Sequence, residues 1–128
     1  MSSIYDFVGT PFKEKGRDCN GVDCWGLVYL VYKKFKKINL PTYSDSYTLA
    51  DKKEIQRLIS GEKSKWKKVE NPQIFDVLLF RINGTVSHTG IFVGKGKFIH
   101  ALEDVGVVVE SIYSVLWRKR LVGVYRYD

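Results

Sequence analysis

Between Cys24 and Ile38 the apolar residues Leu27, Val28, Leu30, Val31, Phe35 and Ile38 recur at helical spacing, while Lys33, Lys34, Lys36 and Lys37 fall mainly between them. The pattern predicts a helix that begins after Gly21-Val22-Asp23, with Asp23 as its N-cap. It predicts a stop at Asn39-Leu40-Pro41, because proline disfavours helical geometry in the residue before it. After a loop through Tyr43–Tyr47, a second and shorter helix is expected over Leu49–Ile59, with Gly61 as its stop. From Trp66 onward the period changes to that of strands. Val77–Ile82, Val86–Val93, Phe98–Ala101, Val105–Val109 and Leu121–Tyr127 are short and rich in β-branched and aromatic residues. Asn83-Gly84, Gly94-Lys95-Gly96 and Asp104–Gly106 punctuate them as turns. Helices packed on a mostly antiparallel sheet of about five or six strands make an α+β layout, with residues 1–128 as one domain.

A chain of 128 residues hides about two thirds of its unfolded surface, so it needs no disulfide or metal staple to fold. Its two cysteines, Cys19 and Cys24, fit neither a redox pair nor a zinc ribbon by spacing. Met1–Phe12 carries no basic region followed by an apolar one, and no apolar run approaches a membrane span. The expectation is therefore synthesis in the cytoplasm without a signal peptide, and no membrane insertion. The formal charge of +7 comes largely from Lys33–Lys37, Lys63–Lys68 and Arg118–Arg120. Such a surplus suits anionic partners such as acidic cell-wall polymers, or simply solvated faces. No nucleic-acid-binding motif accompanies the charge, and nucleic acid is not expected as a partner.

A thiol at the first turn of a helix sits beside unpaired N–H groups and the positive end of the helix dipole, which favour the attacking thiolate. Cys24 is such a thiol; alternatively it is a small core residue. The chain has two histidines, His88 and His100, both in the strand-rich half. If Gly94–Gly96 forms a three-residue loop, Val93 pairs with Lys97, and His100 lies opposite Gly90 and diagonal to His88 on one face. A two-residue loop at Lys95-Gly96 puts the rings on opposite faces. With the sheet packed on the helix start, Cys24, His88 and His100 can line up as nucleophile, base and orienter. Thiolate and imidazole are also good zinc ligands, so residue types alone leave a metal site open.

Tyr5–Phe12, Gly21–Val28, Asp76–Phe80, His88–Ile91, Phe98–Ala101 and Val122–Arg126, in this order, cover nearly the whole chain. Together they resemble the NlpC-type cell-wall cysteine peptidases, which have a papain-like fold. The form Asp23-Cys24-Trp25-Gly26-Leu27 is similar to the branch found in bacteriophage tails and gene-transfer particles. The resemblance implies a cysteine endopeptidase that cleaves stem peptides of peptidoglycan through an acyl-enzyme, without cofactor or metal. It assigns catalysis to Cys24, His88 and His100, and it places the domain at a virion tail tip acting in the cell wall. The alternative it leaves is a tail-tip assembly protein that keeps the fold with little hydrolysis. Arg17 and Asp18 are expected at the cleft, touching a stem peptide or each other, with Asp23 near the oxyanion and Trp25 lining either pocket or core. Two departures stand out. Phe12 replaces a tyrosine whose hydroxyl assists near the oxyanion, and Phe75 replaces a glycine before Asp76, which puts the local turn in question. Asp76 is expected to shape its strand entrance, and Cys19 to be a loop thiol.

Overall fold

A computed structural model describes residues 3–40 and 66–127. The expected loop Tyr43–Tyr47 and helix Leu49–Ile59 lie outside the described residues. The first helix, α1 (Cys24–Val31), continues as one π-helical turn over Tyr32–Lys36. It ends sooner than Pro41 demands, because Lys37 adopts a left-handed conformation (φ 57°) and returns its N–H to the Tyr32 carbonyl. No helix among the described residues is long and apolar enough to cross a membrane.

Two short strands, β1 (Arg17–Asp18) and β2 (Gly21–Val22), form a small hairpin just before α1. The main sheet holds β3 (Trp66–Val69), β4 (Val77–Ile82), β5 (Thr85–Gly94), β6 (Lys97–Leu102), β7 (Gly106–Ser111) and β8 (Leu121–Tyr127). Its order is β3-β8-β4-β5-β6-β7, antiparallel throughout. The period-2 pattern thus locates every long strand to within a residue or two.

Alternation along the strands gives each sheet face its own apolar cluster. Val77, Leu79, Ile91, Val93, Ile99 and Ala101 pack with Trp25, Leu27, Val28 and Val31 of α1. Leu78, Phe80, Phe92 and Phe98 pack on the other face, where the short helix Val115–Arg118 contributes Trp117. The chain therefore buries both faces of its sheet, one under a helix and one under an indole.

The β5-β6 connection differs from the expected three-residue loop. Lys95 and Gly96 are both left-handed (φ 54° and 72°), and Gly94 pairs with Lys97, so the turn has two residues. A bulge between Phe92 and Gly94 then shifts the register by one residue, so that Ile91 pairs with Ile99. The bulge restores the pairing a longer loop gives, and His100 lies opposite Gly90. A Cβ on Gly90 would stand 3.4 Å from that of His100 and 2.9 Å from the Phe98 ring, so glycine leaves space for these rings.

The turn before β4 is also retained without its glycine. Phe75 takes φ 80°, a conformation that costs a side-chain-bearing residue about 1–2 kcal/mol. Its N–H donates to the Phe92 carbonyl, its own carbonyl accepts from the Tyr32 hydroxyl, and its ring packs on Phe35. Asp76 beside it is buried, accepts from the Gln73 N–H and holds Arg126 through both oxygens, at 2.9 and 2.8 Å. Its role is structural, as expected.

Candidate active site

Cys24 is the first residue of α1, half-buried, with Asp23 in extended geometry as the N-cap. One Asp23 oxygen accepts the Gly26 N–H at 2.8 Å and the Arg17 guanidinium at 2.7 Å, and the other accepts the Lys15 N–H at 3.0 Å. The negative charge beside Cys24 is thereby committed to a cap and an ion pair, which lessens its opposition to a thiolate. The arrangement needs Gly26, because a Cβ there would lie 2.1 Å from the Gly16 carbonyl oxygen. The loop carrying Arg17 crosses the helix start over that bare backbone.

This geometry places the residues expected at the cleft. The Asp23 carboxylate is engaged as an acceptor, so a hydrogen bond from this residue to an oxyanion would come from its backbone N–H. Arg17 turns inward to Asp23, and Asp18 is exposed and accepts the Asn20 N–H at 2.9 Å within its own turn. Trp25 is fully buried in the α1 cluster, since the residue after Cys24 points into the core at this helix phase. Phe12 packs against the same cluster and bridges to Val22. Cys19 is an exposed free thiol beside an apolar recess formed with Phe7, Leu30, Lys33 and Lys34.

The two imidazoles meet directly. His88 Nε2 lies 2.8 Å from His100 Nδ1, with ring centroids 5.0 Å apart, and both rings are buried. They share one sheet face, yet it is the face opposite the one α1 packs on, because Ile99 and Ala101 on either side of His100 point to the helix. The thiol reaches β5 at its bulge: Cys24 Sγ lies 3.8 Å from the carbonyl oxygen of Ser87, the bulged residue between His88 and Val86. A bulge re-aims the strand locally, and here it falls where helix start and histidine strand converge.

Two residues at this site were not singled out from the sequence. Glu110 Oε2 lies 2.6 Å from His100 Nε2. It pairs with Phe98 and is diagonal to His100 across β6-β7, so extending the hairpin register from the Asp104–Gly106 turn would have found it. Trp117 touches both imidazoles, but it lies in an insertion after β7 that no strand register places. Burial and the adjacent His88 push His100 down from 6.5 to about 3, so the ring is neutral at physiological pH. A zinc shared with Cys24 and His88 does not fit, because both His100 nitrogens are already engaged, by His88 and by Glu110.

Residues 9–126 match the NlpC/P60 family. Among curated proteins, the chain is 31% identical to murein DD-endopeptidase MepH of Escherichia coli K12, over 98% of this chain and 44% of that one. It is 28% identical to murein DD-endopeptidase MepS/murein LD-carboxypeptidase of the same organism, over 94% of this chain and 57% of that one. The chain thus spans about half the length of these relatives. Its fold is that of the NlpC/p60 domain of the peptidoglycan hydrolase SagA, with a TM-score of 0.66 at 23% identity over 96% of this chain and 92% of the other. A match that runs from the loop before α1 to the last strand, on a helix and six-stranded sheet of the same architecture, makes this chain a member of the NlpC/P60 family.

Proposed function

We propose that the chain is a cysteine peptidase that hydrolyses peptide bonds in the stem peptides of peptidoglycan, with Cys24 as nucleophile, His88 as base and His100 as the group that orients His88. The observation that carries this reading is the His88–His100 hydrogen bond on the strand whose Ser87 carbonyl lies against the Cys24 thiol. Family membership and the names of the murein endopeptidases it resembles support the substrate class.

In this reaction the Cys24 proton passes to His88 and the sulfur attacks the amide carbonyl carbon. Charge that develops on the carbonyl oxygen is met by backbone N–H groups at the start of α1, since Phe12 has no hydroxyl to offer. His88 returns the proton to the leaving amine as the C–N bond breaks, which leaves a thioester on Cys24. Water, giving its proton to His88, then attacks the thioester and restores the thiol. Because Nε2 of His88 is bonded to His100, Nδ1 is the nitrogen that exchanges these protons. A base so positioned contributes about a hundredfold to ten-thousandfold in rate.

The Asp23-Cys24-Trp25-Gly26-Leu27 form supports placing the domain at a bacteriophage tail tip, where it acts on the wall from outside after synthesis in the cytoplasm. The deciding experiment incubates the protein and its Cys24→Ala variant with purified peptidoglycan and identifies released fragments by mass. New termini at a peptide bond with the parent protein alone are expected. Equal release by the variant, or none by either, overturns the proposal. Stoichiometric co-purification of an inert protein with a tail component would favour the assembly role instead.

A further inference from the structure

Glu110 stands on β7, diagonal to His100 on the same sheet face, with its side chain about one third exposed and Oε2 2.6 Å from His100 Nε2. Resting on the catalytic reading of Cys24, His88 and His100, we propose that Glu110 is a positioning residue that sets the tautomers of both imidazoles, so that His88 presents an unprotonated Nδ1 to the thiol.

The chain of constraints starts at the carboxylate. An ionised carboxylate accepts hydrogen bonds and donates none, so a bond of this length needs a proton on His100 Nε2. A buried, neutral His100 has a single ring proton, which leaves Nδ1 as a lone pair. That lone pair lies 2.8 Å from His88 Nε2, so His88 must carry a proton there. In its neutral form His88 then has no proton on Nδ1, as a base aimed at a thiol requires. When His88 becomes an imidazolium, it keeps the same bond to His100 and no partner has to change.

Without Glu110, His100 is free to hold its proton on Nδ1. That N–H faces His88 Nε2, forces the neutral His88 proton onto Nδ1, and leaves the wrong tautomer toward the thiol. Arg17 and Asp23 neutralise one another at the α1 start, and the Arg120 guanidinium lies over the Trp117 ring, 5.1 Å from its centroid. Glu110 supplies a negative charge in direct hydrogen-bonding contact with His100.

The tautomers are read from imidazole nitrogen shifts in uniformly 15N-labelled protein at neutral pH, whether or not the protein hydrolyses peptidoglycan. Protonated Nε2 on both rings, with unprotonated Nδ1 on His100, is the expected result. His100 protonated on Nδ1 overturns the proposal. Glu110→Ala is expected to move the His100 proton to Nδ1, to lower kcat about tenfold to hundredfold with KM changed less than about twofold, and to shift the acid limb of Cys24 alkylation to higher pH. Glu110→Gln, which keeps an acceptor oxygen, is expected to restore part of the rate. A folded Glu110→Ala protein with parental tautomers and an unmoved pH profile also overturns it. Absent hydrolysis in the parent protein counts against the peptidase reading alone, because the nitrogen shifts still decide the tautomers.

Discussion

The indole of Trp117 lies close to parallel with the His88 ring, centroids 5.7 Å apart at 29°, and meets His100 edge to face at 4.7 Å and 89°. One side chain thus roofs the hydrogen bond between the two imidazoles and excludes water from it, which strengthens that bond. Trp117→Ala is expected to destabilise the fold by about 3–5 kcal/mol and to abolish peptidoglycan cleavage. Trp117→Phe keeps an aromatic roof and removes a buried indole N–H that has no hydrogen-bond partner among the described residues. Its cost in urea denaturation should be smaller than that of Trp117→Ala, because the cavity it leaves is smaller.

Acid sensitivity follows from His100. An unfolded chain protonates this residue near 6.5, whereas the folded chain does so near 3. Between those values the unfolded state holds one more proton, so acidification favours unfolding by up to about 1.4 kcal/mol per pH unit. Above 6.5 the contribution no longer varies. Urea midpoints measured from pH 7.5 to 5 should fall accordingly, and His100→Gln should flatten the slope by about one proton.

Gly26 cannot gain a side chain. The Gly16 carbonyl oxygen occupies the place of its Cβ, and neither backbone can retreat without breaking the Asp23 cap or the Arg17 loop. Gly26→Ala is therefore expected to cost about 3 kcal/mol or more, despite the better helix propensity of alanine. Thermal melts of the two proteins give the comparison.

Arg17→Met removes the cationic partner of a buried carboxylate next to Cys24. The Arg17 and Asp23 side chains are 11% and 3% exposed, so losing one partner should cost about 3 kcal/mol. The uncompensated charge also disfavours a thiolate at Cys24, so alkylation of that thiol should slow. The double variant Arg17→Met with Asp23→Asn, which keeps a capping oxygen, should regain most of the stability. No recovery in the double variant would show that the pair is not coupled.

The two thiols should separate chemically. Cys19 is exposed in a turn, whereas Cys24 begins a helix and is half-buried. With limiting iodoacetamide at pH 7, peptide mapping is expected to find Cys24 labelled first despite its lower exposure. Cys19→Ser should leave cleavage unchanged.

Much of this architecture was legible locally. Helical spacing from Leu27 to Phe35 and alternation in the later strands report which face of each element is apolar, and Asp23 announces its cap by residue type. The same patterns do not report distances between elements. Residue type left Arg17 and Trp25 open between cleft and interior, and an ion pair six residues apart and the rotational phase of α1 decided where those side chains point. The hairpin register was recovered for a different reason than expected, since a bulge at Val93 corrected a two-residue turn.

Residue order alone set the helix, the strands and the small set of groups able to do thiol chemistry, because periodicity and side-chain chemistry are properties of neighbouring residues. Only the packed sheet decided that His88 and His100 share the face away from α1, that the thiol meets the strand at Ser87, and that Glu110 and Trp117 complete the surroundings of the imidazoles. Those relations depend on cross-strand register and on a bulge, and a one-residue slip in either would turn every side chain to the opposite face.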